Sequence, residues 1–113
     1  MQLSGEKKQQ AFHVTVEANR IDAGSAIQFK DKFREVIEDV EGKIVLDLSQ
    51  VDFLDSSGLG AVVAALKLLG SDRSLSLAGL TPTVAKVFRL TRMDSVFTIH
   101  DDAETALAAA AQG

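Results

Sequence analysis

Residues 45–60 read Val45-Leu46-Asp47-Leu48-Ser49-Gln50-Val51-Asp52-Phe53-Leu54-Asp55-Ser56-Ser57-Gly58-Leu59-Gly60. The first residues continue an apolar run from Ile44, which is typical of a strand covered on both faces and therefore of a central, parallel strand. A polar loop follows, and Asp55-Ser56-Ser57 then predicts the start of a helix, because Asp and Ser are preferred helix caps. A buried strand followed by a loop and a helix indicates an α/β fold.

The same alternation continues on both sides of this stretch. Period-two and continuous apolar patterns predict strands over 1–4, 12–18, 43–48, 75–78 and 96–99. Helical spacing of apolar residues predicts helices over 25–40, 57–69, 82–91 and 103–111. The expected architecture is a small mixed, mainly parallel β-sheet flanked by about four α-helices. We expect a single domain over residues 1–113.

Composition narrows the function classes. The net charge is −4 and the twelve basic residues are spread along the chain, so the electrostatic footprint of direct nucleic acid binding is missing. The absence of cysteine excludes a disulfide, a thiol nucleophile and a cysteine metal site. With His13 and His100 as the only histidines, we expect neither a metal site nor a cofactor. No apolar run reaches about 18 residues, so we expect a soluble, cytoplasmic protein without membrane insertion.

The start of the second helix allows two interpretations. Asp55-Ser56-Ser57 serves as a helix cap in either case. Gly58 and Gly60 follow in the first turn, where each costs up to about 1 kcal/mol relative to alanine, and capping does not require them. Glycine lets a backbone or a bulky anion approach, and a phosphoryl group on Ser56 or Ser57 would lie in the favourable field of the helix N-terminus.

The body of this helix is almost uncharged. Between Leu59 and Leu69, Lys67 is the only charged residue, although a surface helix needs only one apolar stripe. Either both faces of the helix are buried within the domain, or part of it is exposed as a docking surface. The sequence leaves both alternatives open.

At this point the chain resembles a known family, the STAS domains, and within it the bacterial anti-sigma factor antagonists. The resemblance covers most of the chain and is carried by Arg20-Ile21-Asp22-Ala23, Ile44-Val45-Leu46-Asp47-Leu48, Phe53-Leu54-Asp55-Ser56-Ser57-Gly58-Leu59-Gly60, Leu80-Thr81-Pro82-Thr83-Val84 with Val87-Phe88, and Thr91-Arg92-Met93-Asp94. Two positions depart from the family pattern, since Asn19 and Arg92 stand where glycine is frequent. Neither departure touches the loop around Ser56.

The resemblance implies a phosphorylation-switched binding protein and not an enzyme. Its partners would be an anti-sigma factor that is also a serine protein kinase, which phosphorylates Ser56, and a metal-dependent serine phosphatase that reverses this. Dephosphorylated protein would bind the anti-sigma factor and release the sigma factor. By position, the docking surface would comprise Asp22, Ala23, Asp55, Ser57, Gly58 and Leu59.

Other functions compete with this interpretation. A response-regulator receiver would use Asp47 as phosphoacceptor. It also needs an acidic pair after the first strand, which this sequence does not supply. A serine hydrolase would use Ser56 or Ser57, yet the G-x-S-x-G elbow is absent. Nucleotide binding is weakly supported, because Gly58 and Gly60 do not complete a P-loop. The main alternative lies within the family, as an accessory subunit of a lipid or anion transporter or a scaffold in another signalling complex.

Overall fold

The computed structural model describes residues 1–112, in which helices cover both faces of a β-sheet. The strands are β1 (Gln2–Lys8), β2 (Ala11–Glu17), β3 (Arg20–Ile21), β4 (Gly42–Asp47), β5 (Phe53–Leu54), β6 (Arg73–Ala78) and β7 (Thr98–His100). The helices are α1 (Ala26–Val36), α2 (Ser56–Leu69), α3 (Pro82–Leu90) and α4 (Ala103–Gln112). A 3₁₀ turn, Met93–Ser95, separates α3 from β7.

The main sheet has the strand order β1-β2-β4-β6-β7. β1 and β2 form an antiparallel hairpin, and every other neighbouring pair is parallel. β3 and β5 form a separate, short parallel pair in which Arg20 lies opposite Phe53 and Ile21 opposite Leu54. Because β2 and β4 run in parallel, the segments that follow them emerge at the same edge of the sheet. This topology brings the loop before α1 and the loop before α2 together.

The two faces of the sheet are packed unequally. In β4, Ile44 and Leu46 belong to the main core, which the helices α1, α2 and α3 complete, whereas Val45 lies on the opposite face with Ala106 of α4. The main core contains two aromatic pairs, Phe29 with Phe33 at 6.0 Å and Phe88 with Phe97 at 5.8 Å between ring centroids. Complete burial of such a side chain contributes about 1.5–3 kcal/mol. Most of the hydrophobic stabilisation therefore lies on the side that carries α2.

The predicted fold class is confirmed, with several differences in the element boundaries. The first strand is longer than the predicted 1–4, because its whole length pairs with β2. The first helix was predicted to reach residue 40 but ends at Val36, and Arg73 Nη1 donates to the carbonyls of Ile37 and Val40 just beyond it. The strand predicted from residue 96 begins at Thr98, because Val96 ends the 3₁₀ turn. β3 and β5 were not predicted.

Candidate partner-docking and phosphorylation site

Hydrogen bonds join the backbone of the loop between β4 and α2 to neighbouring segments. The amide of Asp52 donates to the Asn19 carbonyl at 2.8 Å, just before β3 and β5 pair. Thr81 Oγ1, at the start of α3, donates to the Val51 carbonyl at 2.8 Å. The start of α2 is therefore fixed by contacts with both the α1 and the α3 sides of the domain.

Asp55 joins the two loops that the sequence placed in the candidate site. Its Oδ1 accepts a hydrogen bond from the Gly58 amide at 2.9 Å, which caps α2, and its Oδ2 accepts one from the Ala23 amide at 3.1 Å. These bonds, with that from Gly58 contributing most, hold the pKa of Asp55 below its usual value of 3.8. The carboxylate therefore caps α2 and positions residues 22–25 at the same time.

The loop before α1 has its own hydrogen-bond network. Asp22 Oδ1 accepts from the Gly24 amide at 3.0 Å and from Ser25 Oγ at 3.2 Å, while the Asp22 amide donates to Ser25 Oγ at 3.1 Å. Ala23 lies at the exposed turn of this loop. Asp22 is therefore largely occupied in shaping the loop, whereas Ala23 presents an accessible surface.

Ser56 is the first residue of α2, and both Ser56 and Ser57 are exposed. Since Asp55 supplies the helix cap, neither serine hydroxyl is needed for that role, and neither makes a hydrogen bond to another described residue. Both hydroxyls are therefore accessible at the surface. The geometry alone does not choose between them.

The two glycines of α2 have different surroundings. A Cβ on Gly58 would lie 2.0 Å from the carbonyl oxygen of Ile21, so a larger residue cannot fit while β3 stays in place. A Cβ on Gly60 would meet nothing within 4 Å. The sequence allowed either a backbone or a bulky anion to approach Gly58, and in the structure the approaching group is the backbone of Ile21. Gly58 is buried, so it does not itself form part of the exposed surface. It shapes that surface by letting α2 pack closely against Ile21.

The rest of α2 packs mainly into the domain. Ala61, Val62, Ala65 and Leu69 are buried, and α1 lies beside the helix. Leu59 is only partly buried and also packs against the main core. Lys67 and Leu68 are exposed on the outer face. Burial within the domain therefore explains most of the missing charge, and the open surface is limited to a narrow side of the helix.

Three exposed residues near this loop were not recognised in the sequence. The Arg20 guanidinium lies 5.0 Å from the centre of the Phe53 ring, and Arg20 Nη1 lies 3.5 Å from Asp22 Oδ2. Phe53 is 41% exposed and Ile27, at the start of α1, is 68% exposed. Two sequence signals were present, the apolar Phe53 in the loop and the apolar Ile27 outside the buried stripe of α1. The position of Arg20 beside Phe53 had none, because the pairing of β3 with β5 joins distant segments.

A second polar group lies away from this site, on the sheet. His13 Nε2 is 2.9 Å from Asp47 Oδ2, and the Ser49 amide donates to Asp47 Oδ1 at 2.9 Å. Burial favours the neutral acid, but the bonds from Ser49 and His13 outweigh it and lower the pKa of Asp47. Asp47 is 8% exposed and already occupied, which disfavours a phosphoacceptor role. Ser56 and Ser57 make no hydrogen bond to either histidine.

Within residues 1–112, no three histidine or acidic side chains group together as metal ligands would. In the same part of the chain, no helix has the length and apolar character needed to cross a membrane.

Comparison with known sequences places the fold and the loop in a family. The sequence profile of the STAS domain matches residues 5–106. The chain belongs to the STAS domain family. An anti-sigma-B factor antagonist from Listeria monocytogenes is 33% identical over 98 residues, which cover 84% of this chain and 85% of the relative. The sequence therefore confirms both the STAS resemblance and its similarity to the antagonist branch.

Solved structures agree with this assignment. An anti-sigma factor antagonist from Mycobacterium paratuberculosis superposes on this STAS domain with a TM-score of 0.85, at 27% identity, covering 96% of this chain and 92% of the other. A sulfate transporter family protein from Wolinella succinogenes reaches a TM-score of 0.77 at 18% identity, covering 91% and 86%. The second similarity shows the shared fold alone.

Proposed function

We propose that this STAS protein is an anti-sigma factor antagonist whose binding is switched by phosphorylation of Ser56. The single observation that carries the proposal is the exposed, unbonded Ser56 hydroxyl at the first position of α2, directly after the cap that Asp55 provides. The antagonist relatives support the class of function. Ser56 is preferred over Ser57 because it is the first hydroxyl residue after Asp55 in the stretch 53–60 that carries the family resemblance.

The docking surface in this proposal is formed by two loops and the first turn of α2. As the family resemblance implies, this surface consists of Asp22, Ala23, Asp55, Ser57, Gly58 and Leu59. The bond from the Ala23 amide to Asp55 supports the grouping, since it holds the two loops together beside Ser56. The exposed Phe53 and Ile27 extend this surface with apolar area that a protein partner would cover.

The switch would act on the interface and not on the fold. A phosphoryl group adds about −1.5 to −2 charge at neutral pH. At the exposed start of α2 the helix dipole offsets this by roughly 0.3–1 kcal/mol, so the domain should stay folded. A partner packed closely over Ser56 must accommodate the phosphate and remove water from it. A tenfold loss of affinity requires only about 1.4 kcal/mol.

The partners follow from the same proposal. The anti-sigma factor would be a serine protein kinase that binds the dephosphorylated form, and its release of the sigma factor would activate transcription. A metal-dependent serine phosphatase would regenerate the binding form. Both steps use this chain as a protein substrate, so no catalytic residue, metal or cofactor of its own is required. We expect the protein to work in the cytoplasm, where a sigma factor acts.

Incubation with ATP and the cognate kinase, followed by phosphosite mapping by mass spectrometry, tests the assignment. We expect phosphate on Ser56 in the wild type and in Ser57→Ala, and none in Ser56→Ala. Phosphate found only on Ser57 would move the switch by one residue. Phosphate on neither serine would remove the proposed regulation.

A further inference from the structure

Gly60 is a glycine that the fold of this chain does not require. It lies near the start of α2, it is exposed, and its φ is not positive, unlike that of Gly70 at the end of the same helix. A Cβ at Gly60 would meet no atom within 4 Å among residues 1–112. Neither a left-handed backbone nor a close packing contact within this part of the chain therefore explains glycine at this position.

Glycine at this position is also unfavourable for the helix. In an exposed helix, glycine is less stable than alanine by about 1 kcal/mol, because it loses more backbone freedom on folding. At Gly58 the neighbouring backbone explains the same residue type, since a Cβ there would lie 2.0 Å from the Ile21 carbonyl oxygen. No described group approaches Gly60 in this way. The space over Gly60 is therefore open to atoms from outside the chain.

Gly60 and Ser56 lie on the same outward side of α2. The buried residues of this helix are Gly58, Ala61, Val62, Ala65 and Leu69. With roughly 3.6 residues per turn, the direction opposite the centre of this buried face falls between Ser56 and Gly60. The two residues are four positions apart, which separates them by about 6 Å along the helix axis. Gly60 is therefore the next outward-facing position of α2 after Ser56.

A protein kinase that acts on Ser56 has to cover this side of α2. Reacting groups must come to about 3–3.5 Å of each other, so the kinase closes around the Ser56 hydroxyl. A specific interface buries about 800 Å² on each partner, and a residue about 6 Å from Ser56 on the same side of the helix falls inside that area. A side chain at position 60 would hold the kinase away from α2, whereas glycine does not.

We infer that Gly60 determines specificity for the partner kinase by steric fit, because the main chain of the partner packs directly against the bare backbone of α2 there. This inference rests on the proposed function and adds a residue to its docking surface. Two backbones come closest where no Cβ stands between them, which is the arrangement that glycine permits. A flexible side chain of the partner would move aside for a methyl group at this position, whereas its main chain would not.

Calorimetric titration with the purified cognate serine-kinase anti-sigma factor tests the inference. Gly60→Ala should weaken binding about tenfold and Gly60→Leu about a hundredfold or more, since a closely packed main chain cannot yield to a Cβ. Gly60→Ala should also melt at a higher temperature than the wild type, because alanine favours the helix and its Cβ lies in open space. Lower affinity in a more stable variant excludes unfolding as the cause.

Ala108→Leu is the matched control. It adds the same side chain at an exposed position of α4, the helix on the opposite face of the sheet, and should leave affinity unchanged. An equal loss of affinity in Ala108→Leu and Gly60→Leu would remove Gly60 from this role. A loss confined to Gly60→Leu would overturn packing by the partner's main chain, because alanine would then be accommodated.

The same titrations separate the inference from the proposed function. Wild-type affinity of both Gly60 variants, with binding lost in Ser56→Asp, would overturn the inference and leave the proposed function intact. If those variants were then phosphorylated more slowly by the kinase and ATP, the open space would belong to the phosphoryl group on Ser56 and not to the partner's main chain. No binding by the wild type would overturn both.

Discussion

At the scale of single residues, Asp55 and Gly58 together fix the geometry around Ser56. Asp55 accepts hydrogen bonds from the first turn of α2 and from the loop before α1, and Gly58 allows that turn to touch the carbonyl of Ile21. Because these contacts are made by Asp55 and by backbone atoms, the Ser56 hydroxyl has no structural task. A residue with no structural task can be modified without loss of the fold.

The glycines of α2 give a matched pair of substitutions. Gly58→Ala should destabilise the protein by about 1–3 kcal/mol or more, because its Cβ would lie 2.0 Å from the Ile21 carbonyl oxygen. Gly60→Ala should stabilise it by up to about 1 kcal/mol, through helix propensity in open space. Urea unfolding followed by circular dichroism measures both changes. Equal effects of the two substitutions would contradict the packing described for Gly58.

The pairing of Asp47 with His13 and Ser49 predicts part of the acid dependence of stability. A carboxylate whose pKa is lower in the folded state stabilises the fold above its unfolded pKa, and this contribution disappears as the pH falls through the folded value. Asp47→Asn should therefore reduce the decline in unfolding free energy below about pH 4. Urea titrations across this range measure the slope. An unchanged slope would exclude Asp47 as a contributor.

At the scale of secondary structure, the elements with continuous patterns were predictable and the short ones were not. β4 and α2 follow from the apolar run at Ile44 and from the cap at Asp55, which are local signals. β3 and β5 contain two residues each, too few to show a period, and they pair across more than thirty residues of sequence. Because no local pattern shows this pairing, the residues alone did not predict that Asp22 and Ala23 lie beside Asp55. That grouping came from the family resemblance. The close contact of Gly58 is likewise tertiary.

Arg73 links β6 to the end of α1. Its Nη1 donates to the carbonyls of Ile37 and Val40 at 3.1 and 3.2 Å, and so ties β6 to the turn that follows the helix. Arg73→Ala should cost about 1.5–3 kcal/mol of stability, as expected for hydrogen bonds from a charged group. Arg34→Ala, which removes an exposed pair with Asp31, should change stability by less than about 1 kcal/mol. Similar losses in the two variants would argue against a special role for Arg73.

At the scale of the whole molecule, one sheet joins the helices of both faces. We propose that residues 1–113 form a single folding unit, as the sequence indicated. Circular dichroism and hydrogen exchange should then report one coincident unfolding transition in urea, with no populated intermediate. The chain contains no Trp or Tyr, so these two probes replace intrinsic fluorescence. Separate transitions for α4 and the main core would divide the protein into two units.

The central claim is that phosphorylation of Ser56 controls binding. The most direct test compares the affinity of the anti-sigma factor for the unphosphorylated protein with its affinity for a variant that mimics phosphorylation. Isothermal titration of the purified anti-sigma factor with wild type, Ser56→Ala and Ser56→Asp, alongside circular dichroism spectra of each, is the decisive measurement. The proposal predicts that wild type and Ser56→Ala bind similarly, and that Ser56→Asp binds at least about tenfold more weakly while remaining folded. Equal affinity of the folded Ser56→Asp variant, together with full binding by enzymatically phosphorylated protein, would contradict it.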